Sequence, residues 1–351
     1  MKIADKMRAF RWAGGLLALA LMLPACGTED GGMEPSGAPA NGTGAPANAS
    51  GATETVSRDL SSNVPYVPWQ FLTAKGGTAG GATVYGGKAY FAYIRSDSTI
   101  GIIIETNLSN SGQSPTTMTL PPDIKAQYGV SLVVYNGWLY MFYIDLQRNM
   151  SMVFTADGLN WYGPGALDSD PFPGNWNCPP TPVVWNGGLT VMGCGVNGWI
   201  VELAVSGSWS TGWKVTGWDT PNNGPASYNK IGAYVWQGGL YIAWADTAHN
   251  NQLYVAHTLG FPGDWRESAV VGQQGIPSLS QVTNGQLEMV YRGNDAHIYK
   301  TFTSDGASYG QAFRDSASTT NHAPIPFENW GQTGNWVFYI GVNNGLFAVL
   351  E

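Results

Sequence analysis

A tight-turn signal that returns about every 50 residues constrains this chain more than any other feature. The turns begin at Gly86, Asn136, Asn186, Gln237 and Asn284, spaced 50, 50, 51 and 47 residues apart, with a looser sixth copy over Gly331–Trp336. Asn136-Gly137 typifies them: both positions tolerate the positive φ of a two-residue type I′ hairpin. Seven residues past the anchors stand Tyr93, Tyr143, Gly193, Trp244 and Tyr291. Between Gly129 and Gly163 one unit can be read whole. Leu132–Tyr135, Trp138–Ile144 and Met150–Thr155 read as strands, Asp157-Gly158 turns the chain, and Trp161 opens a fourth strand. Such a meander cannot bury both faces alone and needs copies of itself; four-stranded units at this period are the signature of a β-propeller. The expected fold is therefore all-β, a six-bladed propeller of four-stranded antiparallel blades, each of about 49 residues. The last blade runs Trp336–Ile340 and Leu346–Leu350 and then stops, without its outer strand. The run Val64–Leu72 has no blade of its own and is expected to fill that place and close the ring. Pro65 and Pro68 are tolerable there because an edge strand can leave N–H positions unpaired.

The chain before the repeats has a different character. Lys2, Lys6, Arg8 and Arg11 precede an apolar core, Ala13–Leu23, that is too short to span a membrane as a mature helix. It ends in Leu23-Pro-Ala-Cys26, which resembles a bacterial lipobox, in which the cysteine is lipidated and becomes the first mature residue. The resemblance implies a signal peptide over 1–25 and export with a lipid on Cys26. Gly27, by resemblance to the enterobacterial sorting rule, implies the outer membrane or cell surface. Residues 26–57 are rich in Gly, Ala, Pro, Asn, Ser and Thr and lack apolar periodicity. They are expected to form a tether reaching roughly 30 Å. The propeller domain is expected over 58–351.

Without residues 1–25 the chain carries 12 Lys+Arg against 23 Asp+Glu, a net charge of −11. That balance argues against nucleic acid as a partner and against an electrostatic hold on anionic lipid. Cys178 and Cys194 each lie eight residues from Asn186, which places them nearly opposite one another, and in an exported protein a disulfide is the default. No third Cys or nearby His completes a zinc ligand set, and no cofactor motif is present.

Chemistry is expected in the loops joining second and third strands. These offer Arg95 and Asp97, Asp145 and Arg148, Asp246 and His249, and Arg292 and Asp295, beside Tyr93, Tyr143, Trp244 and Tyr291. Carboxylates and guanidinium groups form bidentate hydrogen bonds with hydroxyl pairs, and rings stack on sugar C–H faces. Asp also dominates turns for local backbone reasons; turn chemistry gives no reason for the arginines. Thr155–Trp161 and Thr303–Tyr309 share T-x-D-G-x-x-W/Y spacing and resemble a degenerate Asp-box, the turn of sialidases and many glycan-binding propellers. That resemblance implies a structural turn in a lectin-like or sialidase-like propeller. Three readings follow. The first is a membrane-anchored glycan-binding propeller without catalysis. The second is a sialidase-like or other glycoside hydrolase, although the F/Y-R-I/L-P sequence expected of sialidases is absent. The third is a scaffold that binds an envelope protein.

Overall fold

The computed structural model describes residues 66–76, 78–106, 116–166, 176–195, 200–205, 214–217, 230–246, 250–259, 266–327 and 336–350, and no helix lies among them. The proposed signal segment, Cys26 and the tether lie outside the described residues. The chain enters through β1 (Tyr66–Thr73) and then forms a first meander of β2 (Gly81–Tyr85), β3 (Lys88–Ile94), β4 (Ile100–Glu105) and β5 (Thr116–Thr119). A second follows as β6 (Val130–Tyr135), β7 (Trp138–Ile144), β8 (Met150–Thr155) and β9 (Tyr162–Ala166). The third comprises β10 (Thr181–Trp185), β11 (Gly188–Cys194), β12 (Ile200–Val205) and β13 (Lys214–Gly217). Seven strands then share one sheet: β14 (Gly232–Trp236), β15 (Gly239–Asp246), β16 (Gln252–Thr258), β17 (Arg266–Gln281), β18 (Leu287–Gly293), β19 (His297–Thr303) and β20 (Phe313–Thr319). The chain ends with β21 (Ile325–Phe327), β22 (Trp336–Ile340) and β23 (Gly345–Leu350).

The last sheet has the order β1-β23-β22-β21. β1 pairs antiparallel with the C-terminal strand, Tyr66 opposite Val349 and Trp69 opposite Leu346, in the place the sequence left vacant. The seven-stranded sheet departs from the expectation of separate four-stranded units. Its long β17 pairs with β16 as far as Gln274 and with β18 from Gly275 onward. Other connections between meanders carry prolines, such as Pro121-Pro122, Pro179-Pro180 and Pro324, which interrupt a ladder. The stretch Val271-Gly-Gln-Gln-Gly275 has none, so the strand runs through.

The tight turns behave as their residues dictate. φ is +56° and +74° at Gly86-Gly87, +48° and +76° at Asn136-Gly137, +49° and +73° at Asn186-Gly187, and +50° and +81° at Gln237-Gly238. The fifth turn differs. Only Gly285 has positive φ there, and its amide donates to the Val282 carbonyl at 2.8 Å, giving a longer loop than the two-residue hairpin expected at Asn284. At the opposite end the described loops between second and third strands each close on a left-handed residue, preceded by a second one, Asn250, in the loop after β15. The closing residues are Ser98, Arg148, Asn251, Ala296 and Asn344, with φ between +60° and +69°. That geometry points each of their carbonyls at the next connection. Ser98 accepts from the Ala126 amide at 2.9 Å, Arg148 from Trp176 at 3.1 Å and Asn251 from Gly275 at 2.9 Å. Ala296 likewise accepts from Thr320 and Asn344 from Ala74, both at 2.8 Å.

The core lies between sheets rather than within one. Phe91 of β3 packs 5.2 Å from Phe327 and 5.1 Å from Phe338 of the last sheet, while Ile94 and Ile102 face Val130 and Met141 of the second. An aromatic ends several of the first strands and donates to the glycine carbonyl of the next tight turn. Tyr85 reaches Gly137 at 2.9 Å, Tyr135 reaches Gly187 at 3.1 Å, Trp185 reaches Gly238 at 3.3 Å and Trp236 reaches Gly285 at 2.8 Å. Residues of β2, β6, β10, β14, β17 and β21 all line one cavity of about 350 Å³. Pro182 and Pro326 stand on that lining, where an inner edge needs no further donor.

Candidate functional site

The aspartates of the loop end serve their own turns. Asp97 Oδ1 accepts from the Thr99 hydroxyl at 2.6 Å and the Thr99 amide at 3.0 Å, and these bonds hold its carboxyl below the usual range. Asp145 Oδ1 accepts from the Gln147 and Asn149 amides, both at 2.8 Å. Asp295 accepts from the His297 amide at 3.2 Å and the Tyr299 hydroxyl at 2.9 Å, with Arg314 Nε at 3.5 Å. Asp246 is buried at the end of β15, and its backbone carbonyl accepts from the Asn251 amide at 2.8 Å. His249 lies outside the described residues.

The aromatic residues expected to wall a sugar pocket are core. Tyr93, Tyr143, Trp244 and Tyr291 are between 2% and 5% exposed. The Tyr93 ring lies over Gly101, where an added Cβ would come within 2.5 Å of it. Trp244 stacks on Tyr254 at 5.6 Å and Tyr291 on Tyr299 at 5.3 Å. Their faces are used in packing, and burial pushes the Tyr143 hydroxyl up to about 12. The apolar run that announces a strand also buries the aromatic within it.

The three arginines part company. Arg95 is exposed and turns outward to its own sheet, donating from Nη1 to Thr119 Oγ1 at 2.8 Å. Arg148 spans two meanders: its guanidinium lies 5.9 Å over the Tyr128 ring, and Nη1 donates to Asn177 Oδ1 at 3.3 Å. Arg292 is not the counterpart of Arg95. The turn bond from the Ser98 amide to the Arg95 carbonyl is matched by Ala296 to Gly293, so Arg95 corresponds to Gly293. Arg292 takes the place of Ile94, one residue earlier and on the opposite strand face. There it is half-buried between the seven-stranded sheet and the last sheet. Its Nε donates to the Thr320 carbonyl at 2.9 Å, and among the described residues its two terminal nitrogens have no partner. Burial holds its pKa below the ordinary arginine value, with Asp295 opposing.

Reading the loops alone missed the connections between meanders. Lys75, Gln127, Asn177 and Asn321 each donate their amide to the last or near-last carbonyl of a second strand, at 2.7–3.0 Å. Their side chains therefore stand on the loop end: Lys75 Nζ reaches Ser98 Oγ at 3.1 Å, and Asn321 Nδ2 reaches Asn344 Oδ1 at 3.1 Å. A polar residue some ten positions before each tight turn was the available signal. Cys178, on one such connection, is bridged to Cys194 with the Cα atoms 5.3 Å apart, as the spacing led us to expect.

At the other end the two Asp-box-like turns are built alike. Asp157 Oδ1 accepts from the Leu159 and Asn160 amides at 2.8 and 2.7 Å, and Asp305 Oδ1 from Ala307 and Ser308 at 2.9 and 2.8 Å. Thr155 and Thr303 hydroxyls accept from the Gly158 and Gly306 amides at 2.9 and 3.0 Å. Tyr90 and Tyr241 of the preceding meanders press on those two glycines. These turns are structural.

No protein-family model matches the chain, and comparison with curated protein sequences finds no match. Solved structures do resemble it. The fucose-specific lectin from Aleuria aurantia superposes with a TM-score of 0.57 at 15% identity, covering 80% of this chain and 93% of that one. AofleA from Arthrobotrys oligospora gives 0.58 at 15% identity, covering 82% and 86%. The Trypanosoma rangeli sialidase gives 0.55 at 12% identity, covering 81% of this chain but 59% of the enzyme. At these identities the likeness is one of fold, and the chain shares the antiparallel, propeller-type β architecture of these proteins.

Proposed function

We propose that this chain is a six-bladed β-propeller, closed into a ring by β1, that binds glycan at the loop end and catalyses nothing. The blade count takes the seven-stranded sheet as two blades joined through β17. Support for closure comes from the pairing of β1 with β23, the Asn344–Ala74 joint and the packing of Phe91 on Phe338. The observation that carries the binding reading is Arg292. Its guanidinium is fixed through Nε in a half-buried cleft between two sheets, and its free edge is left for hydroxyl or carboxylate oxygens. The solved structures that share this fold include a fucose-specific lectin. A glycoside hydrolase would need two carboxylates flanking the scissile bond. At the loop end Asp97, Asp145 and Asp295 are instead engaged in hydrogen bonds of their own turns, which favours binding over hydrolysis. We further propose export and anchoring to the outer membrane through a lipid on Cys26, on the strength of the lipobox-like Leu23–Cys26.

A glycan array probed with the full chain tests the binding reading. Retention of defined glycans, weakened about tenfold or more by Arg292→Ala without loss of melting temperature, is the expected result. No retained glycan, or a variant that binds undiminished, sinks it. Metabolic labelling with palmitate tests the anchor: label should be present in the native protein and absent from Cys26→Ala.

A further inference from the structure

Lys230 immediately precedes β14, is 6% exposed, and lines the cavity shared by the first strands of the meanders. Nothing in the loop-end reading uses it. Among the described residues its ammonium has neither a carboxylate nor a hydrogen-bond partner, and the cavity lining contains no Asp or Glu. Two further polar groups on that lining are also unsatisfied: the Ser131 and Ser278 hydroxyl oxygens are buried without a hydrogen-bond partner. They are there because of a repeated close approach. A Cβ on Gly81 would come 2.8 Å from the Ser131 Cα, and one on Gly232 would come 2.9 Å from the Ser278 Cα, so neighbouring first strands converge beside each serine. The Thr181 hydroxyl is already committed to the Ile231 carbonyl at 2.6 Å and leaves the ammonium unrelieved.

A buried cation without a partner is costly, and a counter-ion removes most of that cost. A cavity of about 350 Å³ is at the small end of ligand-sized sites. One cation and two idle hydroxyls, on a mixed polar and apolar lining that among the described residues includes no Asp or Glu, together form a surface complementary to one kind of guest. We propose that the cavity binds a small organic carboxylate of about monosaccharide size, with Lys230 as its charge partner. This site is separate from the Arg292 cleft and stands or falls independently of glycan binding there.

The test is titration of the full chain with D-glucuronate, D-glucose and sodium sulfate, followed by calorimetry or thermal shift. Glucuronate should bind, with at least about tenfold weaker affinity in Lys230→Met. Equal binding of glucose, equal binding of sulfate (an inorganic anion hole only), no binding of glucuronate, or unchanged affinity in the variant would each overturn the proposal. A second measurement needs no variant. Acetylation of the native chain is followed by peptide mapping, with and without glucuronate. Lys230 should be protected several-fold while the exposed Lys88 and Lys125 are modified at unchanged rates. Lys230 labelling that is indifferent to glucuronate overturns the assignment.

Discussion

Single atoms decide whether the hairpin end holds. Gly158 has φ of +75°, and a Cβ there would fall on the Tyr90 hydroxyl. Gly158→Ala therefore combines a left-handed backbone cost of about 1–2 kcal/mol with a clash. It should lower the melting temperature by several degrees, and Tyr90→Phe in the same chain should restore part of the loss. Thermal unfolding of the single and double variants reads this directly; no rescue would mean the tyrosine yields freely. Asp157 and Asp305 make a pH prediction. Hydrogen bonds from Asn160 in one turn and from Ser308 in the other hold their folded pKa values well below the ordinary 3.8. The unfolded chain then binds more protons than the folded one below about pH 4. Their contribution is present above that pH and is lost as acid is added. Asp157→Ala with Asp305→Ala should lower the melting temperature at pH 7 and flatten its fall between pH 4 and pH 2. A double variant with the native acid profile would show that these carboxylates carry no linkage.

At the level of elements, the two chain ends and the disulfide are the places to probe. Deleting residues up to Thr73 removes β1 and leaves β23 as a bare edge, so that truncation should melt lower and aggregate, whereas a chain beginning at Ser57 should match the native one. A start at Lys75 that melts normally would refute the closure. Cys178→Ser opens a loop with a sequence separation of 16 and should cost about 2–3 kcal/mol, seen as a lower denaturant midpoint. Full alkylation of both cysteines in the unreduced native protein would reject the bridge. Much of this level was legible in advance. Strand bounds at Trp138–Ile144, Met150–Thr155 and Trp336–Ile340 coincide with the sequence reading, because apolar runs between Gly- or Asn-bearing turns leave little freedom. The candidate site was less legible. A one-residue shift reverses which face a side chain takes. Arg292 stands one residue after Tyr291, whereas Arg95 stands two after Tyr93, so the two arginines take opposite strand faces. Composition could not reveal that Tyr93 and its counterparts are used up in stacking, nor that Lys230 would lack a partner.

The whole molecule has its own pH signature, centred on the cavity. Burial pushes Lys230 down to about 8, against 10.5 in the unfolded chain. Between those values the unfolded state binds the extra proton, so stability rises with pH across the window. Below pH 8 the full penalty, about 3 kcal/mol, is present. Among the described residues, Tyr234 is the other titratable side chain on the lining. Lys230→Met should thus stabilise the native fold at pH 7 and abolish the rise between pH 8 and pH 10 in denaturant titrations; an equally pH-dependent variant would place the proton elsewhere. A last consequence concerns the joints at the loop end, where a left-handed residue hands its carbonyl to the amide of the next connection. Donor and acceptor are both main chain, and the residues supplying the carbonyl are as unlike as Ser98, Arg148, Asn251, Ala296 and Asn344. The architecture is thereby insulated from the identity of those side chains. Each sector is free to drift toward a different chemistry while its neighbours stay in register, so a molecule assembled from near-copies can carry a guanidinium cleft in one sector and plain aliphatic packing in the next.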